Sequence, residues 1–137
     1  MKKLLIVLFS VGLLTSISAK AEKILYCPSE LASGFVNEDG IWSETTFERK
    51  RYTMKFKDDF SGVKIRDEQF SCYDGGSFKT YHPIICKSDL PYSSWTLNID
   101  KVSLRYVLSQ ISVGGYASIR RNSSDTDSIV AGTCEKF

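Results

Sequence analysis

From Trp95 to Ser109 the chain alternates in a way that only a half-buried sheet accommodates. Trp95, Leu97 and Ile99 interleave with Thr96, Asn98 and Asp100, and Val102, Leu104, Tyr106 and Leu108 interleave with Ser103, Arg105, Val107 and Ser109. A period of two places successive side chains on opposite faces of a strand, so one face is apolar and buried. Folding the stretch back on itself at Asp100-Lys101 sets Ile99 against Val102, Leu97 against Leu104 and Trp95 against Tyr106. A slip of one residue sets Leu97 against Ser103 and exposes the whole apolar set. Asp-Lys is a poor fit to a two-residue turn, and a four-residue connection keeps the same parity.

The same pattern recurs upstream. Tyr52, Met54 and Phe56 oppose Arg51, Thr53, Lys55 and Lys57, and after Asp58-Asp59-Phe60-Ser61 the chain returns with Val63 and Ile65. Pairing Lys57 with Gly62 puts Phe56 opposite Val63 and Met54 opposite Ile65, a second hairpin of consistent parity. Its polar side is basic, with Arg49, Lys50 and Arg51 close by. That side reads either as an anion-binding surface or as a solvated strand face that discourages edge-to-edge association. Lys23 to Cys27 forms a further short strand ended by Pro28, and Ser29 to Thr46 reads as a long loop or weak strand, a length unusual in a small domain. Phe70 to Tyr73 and Ile84 to Lys87 flank the turn former Asp74-Gly75-Gly76-Ser77. Tyr116 to Arg120 is one more short strand after Gly114-Gly115, Asn122 to Asp127 is a loop, and Ile129 to Cys134 is the last strand.

The first 21 residues stand apart. Lys2 and Lys3 precede an apolar run from Leu4 to Leu14, followed by small residues and Ala19-Lys20-Ala21. This is the plan of a secretory signal peptide, and 11 apolar residues fall short of the roughly 20 that span a bilayer. The expected mature part is residues 22–137, a single small β domain destined for the periplasm or the exterior. Without Lys2, Lys3 and Lys20 the 18 basic residues become 15 against 16 acidic ones, and the formal charge moves from +2 to −1. Such a balance supplies no long-range attraction to nucleic acid or to an anionic membrane.

All four cysteines, Cys27, Cys72, Cys86 and Cys134, lie in the mature part. Export and an even count point to two disulfides, for which three connectivities exist. Cys72 with Cys86 closes a local loop, and Cys27 with Cys134 joins the first strand to the last; that pairing is the one expected. A single histidine and no C-x-x-C argue against a metal site built on these thiols.

Catalytic signatures are sparse. His82 precedes Pro83 in a connection and has no marked nucleophile beside it. Asp58 and Asp59 fall at a hairpin tip, and the acid and base of a glycosidase need two carboxylates in one cleft. Asn122, Asp125 and Asp127 are oxygen donors without the spacing of a calcium loop. A transmembrane barrel is disfavoured because the strands are short and Glu135 falls on the face that would meet lipid if the final Phe137 did.

Two resemblances add to this reading. Tyr26-Cys27-Pro28 after the leader and Ala131-Gly132-Thr133-Cys134-Glu135-Lys136-Phe137 at the end resemble small exported bacterial proteins to which no activity is assigned. That likeness covers nearly the whole mature length and implies no mechanism. A small cysteine-bridged antiparallel barrel is also similar in size and plan to periplasmic inhibitors of C-type lysozyme, which push a loop into the enzyme's cleft. Ser33-Gly34-Phe35 resembles the Ser-Gly and aromatic residues of such a loop but stands elsewhere in the chain, so no residue carries over as functional.

The expected fold is all-β, seven or eight antiparallel strands in a meander closed into a small barrel and stapled by two disulfides, with a two-sheet sandwich as the alternative. The expected function is a non-enzymatic binding or interaction domain without cofactor or metal. Its partner is an unidentified protein or small ligand, not nucleic acid, and the domain does not insert into a membrane. The alternatives are a secreted hydrolase using carboxylates and a proteinaceous inhibitor of a cell-wall lytic enzyme.

Overall fold

The computed structural model describes residues 22–91, 93–112 and 126–137. Its strands are β1 (Lys23–Glu38), β2 (Ile41–Thr46), β3 (Arg51–Phe56), β4 (Gly62–Ile65), β5 (Glu68–Asp74), β6 (Pro83–Ser88), β7 (Ser93–Asp100), β8 (Arg105–Ser112), β9 (Thr126–Thr133) and β10 (Glu135–Lys136). Eight of them close a ring, β1-β3-β4-β5-β6-β7-β8-β9 and back to β1, with every pair antiparallel. The barrel therefore replaces the sandwich. An eight-stranded ring has an interior just wide enough for side chains to fill it. Every ring strand contributes: Leu25 and Cys27, Met54 and Phe56, Val63 and Ile65, Phe70, Ile84 and Cys86, Leu97 and Ile99, Tyr106 and Leu108, and Val130 are all buried.

β1 is the strand around which the ring closes. One of its edges pairs with β3 along Lys23–Pro28 and with β2 along Ser33–Glu38; the other pairs with β10 and then β9. The stretch from Ser29 to Thr46, expected as a loop or weak strand, is thus the second half of a 16-residue strand and its hairpin return. The expected stop at Pro28 does not occur. Pro28 sits beside a bulge between Ser29 and Leu31, where a missing N–H is tolerated. The bulge also reverses the facing of the strand: Leu25, Cys27 and Ser29 are buried before it, and Ala32 after it. That reversal hides the second half from a search for strict alternation. The β1–β2 hairpin turns at Asp39-Gly40 with φ of 53° and 87°, the two positive values that a tight hairpin requires, and Asn37 Oδ1 accepts the Gly40 N–H at 2.8 Å.

The hairpin of β3 and β4 has the expected register, Met54 to Ile65 and Phe56 to Val63. The hairpin of β7 and β8 keeps its parity but pairs four residues further along: Ile99 faces Tyr106, Leu97 faces Leu108 and Trp95 faces Gln110. Its connection runs from Lys101 to Leu104, and Val102, expected inside, is exposed. The cause is Asp100, whose Oδ1 accepts the N–H of Val102 and of Ser103 and the Ser103 hydroxyl, winding a wider turn than two residues allow. The last ring strand begins at Thr126, so Thr126 and Asp127 leave the expected loop; the expected strand Tyr116–Arg120 lies outside the described residues.

Both expected disulfides form. Cys72 and Cys86 are direct cross-strand partners in β5 and β6, and Cys27 joins Cys134 across the seam where the first strand meets the end of the chain. At the same seam β9 and β1 approach so closely that a Cβ on Gly132 would collide with the Pro28 carbonyl. The Tyr106 hydroxyl crosses the interior to donate to the Cys27 carbonyl at 3.3 Å, and burial pushes its pKa up.

Candidate functional site

His82 and its surroundings are held by structural bonds. The His82 N–H donates to Asp100 Oδ2 at 2.6 Å, and the His82 carbonyl accepts the Lys101 N–H at 3.0 Å, so this residue ties β6 to the β7–β8 turn. Its ring Nδ1 lies 3.4 Å from Ser77 Oγ at an exposed point of the β5–β6 connection. The hydroxyl sits in open solvent, and the Asp100 carboxylate contacts the backbone of His82, not its ring. A relay of serine, histidine and acid therefore does not assemble here.

Asp100 is nearly inaccessible, and both its oxygens are committed. Hydrogen bonds from the Ser103 N–H and then from the His82 N–H hold its pKa down at about 2. A carboxylate that keeps its charge so firmly is not a proton donor near neutrality. It lines a surface groove of about 370 Å³ together with Glu30, Tyr81 and Arg105, so two acids share this concavity. The depressed pKa gives the sign of a pH effect. The folded value lies below the ordinary carboxylate value of about 4, so the stabilisation is complete above pH 4 and is lost as pH falls toward 2. Asp100→Asn is expected to melt well below the unaltered protein at pH 7, with the gap narrowing steadily between pH 4 and 2. Melting curves across that range check it, and a gap independent of pH would contradict it.

The other sequence candidates do not converge. Asp58 pairs with Lys23 at 3.5 Å at the β3–β4 turn. Asp127 lies in β9, whereas Asn122 and Asp125 lie outside the described residues. Among the described residues no group of three or more His, Cys, Asp and Glu side chains is placed to hold a metal ion. Ser33-Gly34-Phe35 belongs to the middle of β1, paired on both edges with β2 and β9, and is not a projecting loop.

What the fold does build is an apolar outer wall. On the outward faces of β8, β9 and the second half of β1, Leu31 is 69% exposed, Ile129 57%, Ile111 50%, Phe35 48% and Val107 40%. Strand register makes them neighbours: Leu31, Ala131 and Val107 lie in one cross-strand row, and Ile129 lies between Ser33 and Ser109 in the next. Phe35, Ile111 and Ile129 line a mostly apolar groove of about 590 Å³ whose floor includes Gly34. Gly34 is glycine because a Cβ would strike the Asp127 carbonyl of β9. Contiguous apolar surface with a polar rim is what docking sites expose.

A reading by alternation overlooks this wall, because it assigns each strand one apolar face. Its trace in the sequence is the pair of unbroken apolar runs Tyr106-Val107-Leu108 and Ile129-Val130-Ala131, apolar on both phases. In the first run Tyr106 and Leu108 fill the barrel while Val107 faces out, and in the second Val130 is buried while Ile129 faces out. Comparison with known proteins finds no counterpart for this arrangement: no family model, no curated protein and no solved structure matches the chain.

Proposed function

We propose that this chain is an exported, non-enzymatic interaction domain that docks a protein partner through the outer wall of β8, β9 and the second half of β1. The observation that carries the reading is the placement of Leu31, Phe35, Val107, Ile111 and Ile129 outside a barrel whose interior is already filled by its own side chains. A small apolar ligand held inside such a barrel would compete with Phe56 and Phe70 for the same space. The two disulfides suit an oxidising compartment, and the basic-apolar-small pattern of residues 1–21 suits export. A hydrolase is the weaker reading, since one of the two acids in the shared groove is saturated with hydrogen bonds.

Inhibition of a cell-wall lytic enzyme is a narrower form of the same proposal. It is favoured by β2, which pairs with β1 off the closed ring and is joined to it by the tight Asp39-Gly40 turn.

The test is capture from periplasm and medium with the oxidised protein as bait, run beside Ile111→Ser/Ile129→Ser. The expected result is one stoichiometric protein retained by the unaltered chain, with at least tenfold less on the double variant. Equal retention by both baits, or a native mass spectrum showing a small-molecule adduct in place of a protein, would overturn the reading.

A further inference from the structure

Basic residues gather on the opposite side of the barrel wall, chiefly on β3 and β4. Arg51, Lys55, Lys64 and Lys87 occupy outward positions of β3, β4 and β6, Lys57 follows directly after β3, and no acidic residue stands on the outward phase of β3 to β6. Lys55 and Lys64 are direct cross-strand partners, an arrangement in which like charges destabilise the pair. Neither has an ion pair among the described residues; the ion pairs Lys23–Asp58 and Lys101–Asp74 both involve turns or strand ends. With 15 basic and 16 acidic residues after position 21, this concentration is a segregation of charge and not an excess of it.

The spacing says what such a face recognises. Residues two apart on a strand face repeat at about 7 Å, so Arg51, Lys55 and Lys57 form a line of about 20 Å, and Lys64 lies one strand spacing of about 5 Å to the side. The outer wall of a narrow barrel is convex, so these cations form a stripe and do not converge on one point. A single phosphate meets one or two of them, whereas an extended chain of acidic groups meets most at once. The apolar groove lies on the other half of the ring, on β8, β9 and β1, so a membrane against the basic stripe gains little from apolar insertion. We infer that the outer face of β3, β4 and β6 binds a linear polyanion, an unbranched polymer carrying sulfate or carboxylate groups along its length. This stands apart from the docking reading above, since the two faces share no residue.

The experiment titrates the full oxidised protein with a heparin fragment and with poly-L-glutamate at 50 and 200 mM salt, and with phosphatidylglycerol vesicles as a third arm. Affinity for at least one polymer is expected to fall about tenfold or more over that salt range, as multiple charge contacts require. Lys64→Glu is the decisive variant. It turns the repulsive Lys55 pairing into an attractive one, so the melting temperature is expected to hold or rise while polymer affinity drops at least tenfold. Lys87→Gln should weaken binding less, and Lys136→Gln on β10 not at all. Unchanged affinity in Lys64→Glu, or binding of vesicles with neither polymer bound, overturns the inference. So does polymer binding that salt does not weaken.

Discussion

Removing the Cys27–Cys134 bridge as Cys27→Ala/Cys134→Ala is expected to lower the unfolding free energy by about 4–5 kcal/mol, against about 3 kcal/mol for Cys72→Ala/Cys86→Ala. The difference follows from the loops the bridges close, with sequence separations of 107 and 14. In the chain-entropy account a longer closed loop removes more freedom from the unfolded ensemble, and the penalty grows with the logarithm of its length. The larger loss also falls on the more exposed structural weakness. Cys134 follows β9 directly at the seam where β1 closes the ring, and β10 beyond it is held by two residue pairs, Leu25 with Lys136 and Tyr26 with Glu135. A domain of this size has about 5–15 kcal/mol of total stability, so the first variant is expected to be partly unfolded at 37 °C and the second folded. Urea unfolding with circular dichroism reads both; equal losses would show that loop length does not decide the effect.

The second large effect contrasts the two sides of the sheet. Phe56 is completely buried and packs on Phe60 at a ring-centroid distance of 5.3 Å, while Lys23 Nζ sits 4.3 Å above the Phe60 ring and covers that end of the barrel. Phe56→Ala opens a cavity among residues from β1, β3 and β4 that the rigid ring cannot close, at a cost of about 3–5 kcal/mol. Ile129→Ser removes a comparable apolar side chain from the outer wall, where it is more than half exposed, and is expected to change stability by no more than about 0.5 kcal/mol. If Ile129→Ser costs as much as Phe56→Ala, the outer wall is part of the packing and not a docking surface. A variant that folds normally and loses its partner is what separates binding from stability at this face.

Much of the architecture is legible in the sequence, and the reasons are specific. The β3–β4 register followed from Met54, Phe56, Val63 and Ile65 because four closely spaced turn residues left one way to bury all of them. The disulfide pairing followed from strand adjacency, since Cys72 and Cys86 flank one turn and Cys27 and Cys134 mark the two ends. The β7–β8 register was legible only in parity. An alternating strand looks the same after a shift of two or four, so burial selects the face and leaves the position along the strand to the turn. Asp100 makes that selection by gathering the Val102 and Ser103 N–H groups.

The second half of β1 marks the limit of pattern reading. Asp39-Gly40 was a hairpin signal in its own right, but the bulge after Ser29 had reversed the phase, and with both faces of Phe35 to Glu44 partly in solvent no alternation announced the strands on either side. The outer apolar wall was hidden for a related reason: it is the product of three strands that are distant in the chain and adjacent only in the ring.

Local chemistry thus determined the class of fold, the inward face of most strands and both bridges, because period and thiol count are properties of neighbouring residues. Closure of the ring through β1, the four-residue displacement at Asp100 and the separation of the exterior into an apolar and a basic side were decided by tertiary structure. Each depends on which strands lie side by side, and that is set by how a 16-residue strand bends at one bulge to serve four partners.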